Sequence, residues 1–177
     1  FLSDTGYNWN AQKGQLWFID AAKKRGVDQF IAFSNSPPIT MTKNNKAYSD
    51  EGVHANIDRS KYMEYINFLT SVLEEVNTRY QIEFDYISPF NEPQWDWNRN
   101  SGQEGSPWTN TDIKTLTTLL DSMLITKNIT TKIELAEAGQ LNYLYETGNK
   151  KGRGNQIQAF FNPQSKTYIG DLKRVAH

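Results

Sequence analysis

Asp85-Tyr86-Ile87-Ser88-Pro89-Phe90-Asn91-Glu92-Pro93-Gln94-Trp95 reads as a short apolar strand, Phe84 to Ile87, running into a turn that carries an Asn-Glu-Pro triplet. A proline fixes its own φ and pushes the residue before it, here Glu92, out of the helical region. The Glu92 carboxyl is therefore aimed by backbone geometry as well as by its neighbours. Trp95 and Trp97 follow at once. Flat indole faces beside an acid are what a sugar-handling cleft needs. The competing account is an ordinary strand-to-loop turn with a solvated glutamate, so the rest of the chain has to decide.

The chain has 177 residues, compatible with one domain and long enough to bury a substantial core. Its 19 Lys and Arg nearly balance 20 Asp and Glu, which gives no electrostatic case for nucleic acid or an anionic membrane. No stretch approaches the apolar length of a membrane span, and the first residues do not resemble a signal peptide. Phe1 is not an initiator residue, which implies residues upstream. Cysteine is absent, removing disulfides, thiol nucleophiles and thiolate metal sites together. The two histidines, His54 and His177, are far apart, which argues against a histidine metal site or a Ser-His-Asp triad. Aromatic side chains are abundant, with 5 Trp, 9 Tyr and 9 Phe, and the majority must be core.

Outward from the central stretch, the pattern alternates. Phe1 to Asn10, with Asp4 and Gly6, reads as loop. Ala11 to Arg25 is an amphipathic helix that places Leu16, Ile19 and Ala22 inward, with cations in its last turn and Gly26 after it. Val27 to Phe33 reads as a buried strand that ends at Ser34-Asn35-Ser36-Pro37-Pro38. Met41 to Asn56 is a long polar loop, functional or mobile. A second helix is expected from Ser60 as N-cap, burying Tyr62, Tyr65, Ile66, Leu69, Val72, Leu73 and Val76. After the central strand, Asp96 to Trp108 is another polar loop. Thr109 and Asp112 then open a third helix with capping-box-like spacing. Lys132 to Ala136 is a third strand, ending in Glu137-Ala138-Gly139. Ile157 to Phe161 reads as a short helix, and Tyr168 to His177 as a helical turn leading towards another strand.

Helix, strand, helix, strand, helix, strand argues an α/β fold with a parallel sheet and helical crossovers. No glycine-rich phosphate loop follows a strand, so a nucleotide-binding open sheet lacks its mark. Polar, aromatic and acidic residues instead collect after the strand ends: Asn35, then Glu92 with Trp95, then Glu137. Functional groups gathered on one face of a parallel sheet point to a (β/α)8 TIM barrel, which needs about 250 residues. With three clear strands and the approach to a fourth, residues 1–177 are thus expected to be the middle of one barrel domain, incomplete at both ends. Phe30, Ala32 and Ile87 are candidates for inner faces that lack an opposing wall, so the chain alone is expected to be aggregation-prone or molten, and inactive.

Phe33-Ser34-Asn35-Ser36-Pro37-Pro38, Asp85 through Trp95, Gln103-Glu104-Gly105-Ser106-Pro107-Trp108 and Glu137-Ala138-Gly139 together resemble glycoside hydrolase family 30. Within that family the chain is most similar to endo-β-1,6-galactanase-like members, which share a long loop ending in Gln-Glu-Gly. The resemblance spans most of the chain, with the four segments in order at successive strand ends. It implies that the three strands, with their flanking helices, are about strands 3 to 5 of a catalytic barrel, that Glu92 is the general acid/base and that Asn91 binds the 2-hydroxyl of the sugar being cleaved. It also implies a second glutamate as nucleophile at the end of strand 7, downstream of His177. A secreted, periplasmic or cell-surface protein, monomeric at full length, with a carbohydrate as its partner and no cofactor or metal, follows from the same resemblance.

The chemistry asks for the same parts. A retaining glycosidase needs one carboxyl protonated at rest and a second ionised about 5 to 5.5 Å away. Trp95 and Trp97 are placed to supply an apolar wall to the acid. Glu137, at the end of the next strand, is a tempting second carboxylate. The resemblance puts the nucleophile elsewhere, so Glu137 reads rather as a substrate ligand or as the group that orients Glu92. Glu104 is a substrate acceptor or a solvated loop acid. Asn35, Trp108 and Tyr143 are subsite residues or structural ones. Asp50-Glu51 and Lys150-Lys151 read as solvated charges. Two other readings stay open: a catalytically inactive carbohydrate-binding barrel, and a retaining glycosidase of the same clan acting on xylan or β-glucan.

Overall fold

The computed structural model describes residues 1–3, 6–50, 53–135 and 137–176. Asp4, Glu51, Ala136 and His177, named above, lie outside the described residues.

Three strands form a parallel sheet in sequence order: β3 (Ile31–Phe33), β4 (Tyr86–Ser88) and β5 (Lys132–Ile133). Ala32 pairs with Ile87 and Ile87 with Ile133, and a parallel bridge carries the row on to Val175. Ile133 donates to the Arg174 carbonyl at 2.6 Å and accepts from Ala176 at 2.9 Å. The segment from Tyr168 is therefore not the helical turn expected from sequence. It is a run of turns that delivers Val175 to the fourth position of the sheet.

The crossovers are the helices α1 (Lys13–Lys23), α2 (Tyr62–Tyr80) and α3 (Asn110–Thr126). Tyr62, Tyr65, Ile66, Leu69, Leu73 and Val76 of α2 enter the core as their spacing predicts, while Val72 is only partly buried against it. Ser60 is not its cap. A 3-10 turn, Arg59–Lys61, precedes the helix and is entered from extended Asp58. Thr109 does cap α3, accepting from the Asp112 N–H at 3.1 Å, while its hydroxyl donates to Asp112 Oδ2 at 2.6 Å. Tyr62 donates its hydroxyl to the other oxygen of Asp112 at 2.9 Å, joining α2 to α3. Burial first, and the Asp112 charge second, push the Tyr62 phenol well above its ordinary range. The short helix α4 (Gln156–Phe161) buries Phe160 against α3.

Residues 1–10, expected as loop, contain a small antiparallel ribbon of β1 (Leu2–Ser3) and β2 (Gly6–Tyr7). Tyr7 stacks on Trp9 at 4.7 Å and on Phe68 of α2 at 6.4 Å, so ring stacking rather than a strand-length pattern anchors it.

Alternation along the strands divides the sheet into two faces. Ile87, Ile133 and Val175 are buried, and with Ala32 they form the row that packs on the helices. The other face carries Ile31 and Phe33, 51% and 48% exposed, with Tyr86 and Lys132 beside them in register. This corrects the expectation for Ala32 and Ile87, which point to the helices. The face without an opposing wall belongs to Ile31 and Phe33.

Candidate functional site

β4 starts two residues later than its apolar run because Asp85 diverts the pairing. The Asp85 carboxylate accepts from the Phe30 N–H at 2.8 Å, and its own N–H goes to the Phe30 carbonyl at 2.9 Å. The strand then delivers Ser88, and the chain turns at Pro89. Tyr65, fully buried, holds that turn: its hydroxyl reaches the Pro89 carbonyl at 3.0 Å and Ser34 Oγ at 3.0 Å. One α2 side chain thereby ties the C-terminal ends of β3 and β4 together. Burial raises the Tyr65 phenol far above its ordinary range, so it stays a neutral donor.

Beyond the turn, Asn91 is buried and Glu92 sits in the left-handed region, at φ 38°. It has left the right-handed helical region, as the following proline requires, but has not become extended. Two donors of its own loop hold its carbonyl, the Trp95 N–H at 3.1 Å and the Trp97 indole N–H at 3.0 Å.

The aromatic residues of this loop do different jobs. Trp97 is 5% exposed, and a Cβ on Gly105 would collide with its ring, so glycine is what lets the loop close over the indole. Trp108, 1% exposed, stacks on Tyr65 at 6.2 Å and meets Phe90 edge-on at 5.3 Å. Neither has a ring face free for a sugar. For Trp108 the structural alternative holds, and Trp97 builds the loop instead of lining a cleft. Trp95 keeps part of its surface open. Tyr143 is buried with its ring edge-on to Trp95 at 6.1 Å, and its hydroxyl donates to Asn149 Oδ1 at 3.2 Å.

The loop after β5 joins this group. Gln94, fully buried, accepts from the Gly139 N–H at 3.2 Å, and a Cβ on Gly139 would collide with the Trp95 indole nitrogen. Glu137 is thus carried beside the Glu92 loop. It binds its proton more tightly than an ordinary glutamate. Burial is the largest cause, the charges of Glu134 and then Glu92 add to it, and the Ser88 hydroxyl acts the other way. Glu134 is a site residue that the sequence reading missed. The alternation Lys132 outward, Ile133 inward, Glu134 outward was the available signal.

Asn35 and Glu104 meet on the other side, with Asn35 Nδ2 donating to Glu104 Oε1 at 3.4 Å. They line a cleft of about 600 Å³ on the β3 side whose walls include neither Glu92 nor Glu137. The described parts of the long polar segment, residues 41–50 and 53–56, are fixed against the loop that carries Glu104. Ser49 donates to the Trp97 carbonyl at 2.8 Å, Ala47 accepts from Gly105 at 2.8 Å, and Asn56 donates to Ser106 Oγ at 3.1 Å. Asp50 is exposed and lies 3.7 Å from Lys46, as a solvated charge would. Lys150 is not solvated, and its surroundings are described below. Among the described residues no three His, Cys, Asp or Glu side chains group to hold a metal ion, and no helix is long and apolar enough to cross a membrane.

The family profile described as O-Glycosyl hydrolase family 30 matches residues 1–177. An endo-beta-1,6-galactanase of Hypocrea rufa is 29% identical over 119 residues, 67% of this chain and 24% of that protein. The crystal structure of a conserved exported protein from Bacteroides fragilis superposes with a TM-score of 0.91 at 33% identity, over 99% of this chain and 36% of that one. The catalytic domain of a family 30 xylanase C from Talaromyces cellulolyticus superposes with a TM-score of 0.64 at 18% identity, over 86% of this chain and 36% of that one, a likeness of fold. The chain therefore spans about a quarter to a third of the length of these relatives.

Proposed function

The chain belongs to O-glycosyl hydrolase family 30, and on that premise we propose that it forms the acid/base half of a retaining β-glycosidase that cleaves β-1,6-linked galactan. A glycoside hydrolase acting on polysaccharide agrees with the family and with the galactanase relative. The observation that carries the assignment of Glu92 is the double hold on its carbonyl at the end of β4. It fixes the carboxylate-bearing residue without using the carboxylate.

Glu92 gives its proton to the glycosidic oxygen as the bond breaks, then takes one from the water that releases the sugar. The nucleophile that forms the glycosyl-enzyme intermediate comes from residues outside this chain. Asn91 binds the 2-hydroxyl and Trp95 offers a face to a pyranose ring. Glu137 holds its proton more tightly than an ordinary glutamate, which suits a donor to a substrate hydroxyl. The bare face of Ile31 and Phe33 fits the interior of a (β/α)8 barrel whose opposite wall is supplied by further strands. Export to the cell surface or medium suits a polymeric substrate and the exported relative.

The test is product analysis of the full-length protein on β-1,6-galactan, β-1,6-glucan and xylan. Release of β-anomeric oligosaccharides from the galactan, followed by proton NMR before mutarotation, is expected. Release of α-anomers would overturn retention, and preference for xylan or glucan would reassign the substrate. No cleavage of any of the three would leave a carbohydrate-binding barrel.

A further inference from the structure

Between Tyr143 and α4 the chain makes a compact turn that carries Lys150 and Arg153. Sequence reading treated Lys150 as a solvated charge, but both cations are buried, 8% and 6% exposed. Cations are rarely buried unless paired, since each loses its hydration. Both converge on one oxygen: Arg153 Nη2 lies 2.7 Å and Lys150 Nζ 3.1 Å from Asp96 Oδ1. Arg153 also donates through Nη1 to the Trp95 carbonyl at 3.2 Å. The Lys150 ammonium stands 5.6 Å from the centre of the Trp95 ring.

A clamp meant only to fasten this turn to the core would grip a helix or a strand. This one grips residues 95 and 96, three and four positions past Glu92. It surrounds the indole with a cation, with the edge of Tyr143 and with the close approach of Gly139. We propose that Lys150 and Arg153 are positioning residues that hold Trp95 as a fixed sugar-stacking platform beside Glu92, acting through Asp96 and the Trp95 carbonyl. The inference rests on the reading of Trp95 as a cleft residue. An indole fixed before the sugar arrives spares the ordering that a loose side chain would need on binding. Asp96 has its proton affinity lowered by these two partners against the opposing effect of burial, so it stays ionised as the clamp requires.

The test is a double-mutant cycle in the full-length protein on β-1,6-galacto-oligosaccharides. Arg153→Ala is expected to raise KM roughly 3- to 10-fold with kcat within about twofold, and Arg153→Lys to recover part of the loss. In a Trp95→Ala background the Arg153→Ala change is expected to add almost nothing, because its target is gone. Asp96→Asn, close to isosteric, is the second probe should Arg153→Ala fail to fold, with the same KM shift and the same coupling expected. If Trp95→Ala raises KM but Arg153→Ala and Asp96→Asn add their effects independently, the clamp is structural and the inference falls alone. If Trp95→Ala leaves KM unchanged, the placement of Trp95 in the cleft falls and the inference with it.

Discussion

The Trp97 indole N–H donates to the Glu92 carbonyl at 3.0 Å, and the two residues share positive φ, 42° and 38°. Trp97 therefore acts on the site through the backbone of the acid loop. Trp97→Phe keeps most of the buried ring and removes the donor, leaving the carbonyl with the Trp95 N–H alone. A loss of about 1 kcal/mol of stability is expected, with kcat reduced roughly 3- to 10-fold and KM little changed. A raised KM at unchanged kcat would return Trp97 to the cleft wall.

The same geometry makes Glu92 a strained residue. A left-handed backbone costs an ordinary side chain about 1 kcal/mol relative to glycine. Thermal unfolding of Glu92→Gly and Glu92→Ala should rank glycine as the more stable by about that amount, with both losing activity on galactan, whose leaving oxygen needs a proton. Equal stability, or alanine ahead, would mean that the left-handed conformation is not kept in solution.

Glu137 offers a test by pH. An ordinary glutamate titrates near about 4.3, and Glu137 holds its proton above that in the folded protein. In the window just above the ordinary value the folded state carries the extra proton, so this group's contribution to stability falls as pH rises through the window. Above it, the ionised carboxylate bears a constant cost, from burial first and from the charges of Glu134 and Glu92 after it. Below it, the cost is absent. Glu137→Gln should therefore raise Tm at about pH 7 and leave it unchanged at about pH 3.5. The same Tm difference at both pH values would contradict the assignment.

Trp108 and Trp95 should separate cleanly. Trp108→Ala opens a cavity between Tyr65 and Phe90 and is expected to cost about 3 to 5 kcal/mol of stability. Trp95→Ala should cost less than about half of that and act chiefly on oligosaccharide affinity. The reverse ranking by calorimetry and titration would exchange the two roles.

How much of this the sequence carries depends on what each residue answers to. The α2 face was legible because apolar residues repeat at helical spacing, and the place of Glu92 past a strand end because Asn-Glu-Pro follows an apolar run. The strand boundaries were not, since Asp85 takes Phe30 as its partner through a side chain and no periodicity encodes that. The inner and outer faces of the sheet were exchanged because strands of two or three paired residues are too short for alternation to fix their phase. Lys150 looked like a surface charge because its partner, Asp96, lies 54 residues away. Buried Trp97 and Trp108 and part-exposed Trp95 share one letter, and only the fold tells them apart.

The most direct measurement on the central claim is the leaving-group dependence of Glu92→Gln in the full-length protein. On β-1,6-galactan, whose leaving oxygen needs a proton, the variant should lose about 10²- to 10⁴-fold in kcat/KM. On a dinitrophenyl galactoside, whose leaving group departs without one, the first chemical step should slow by less than about tenfold. Equal loss on both substrates would contradict the role of Glu92 as the acid.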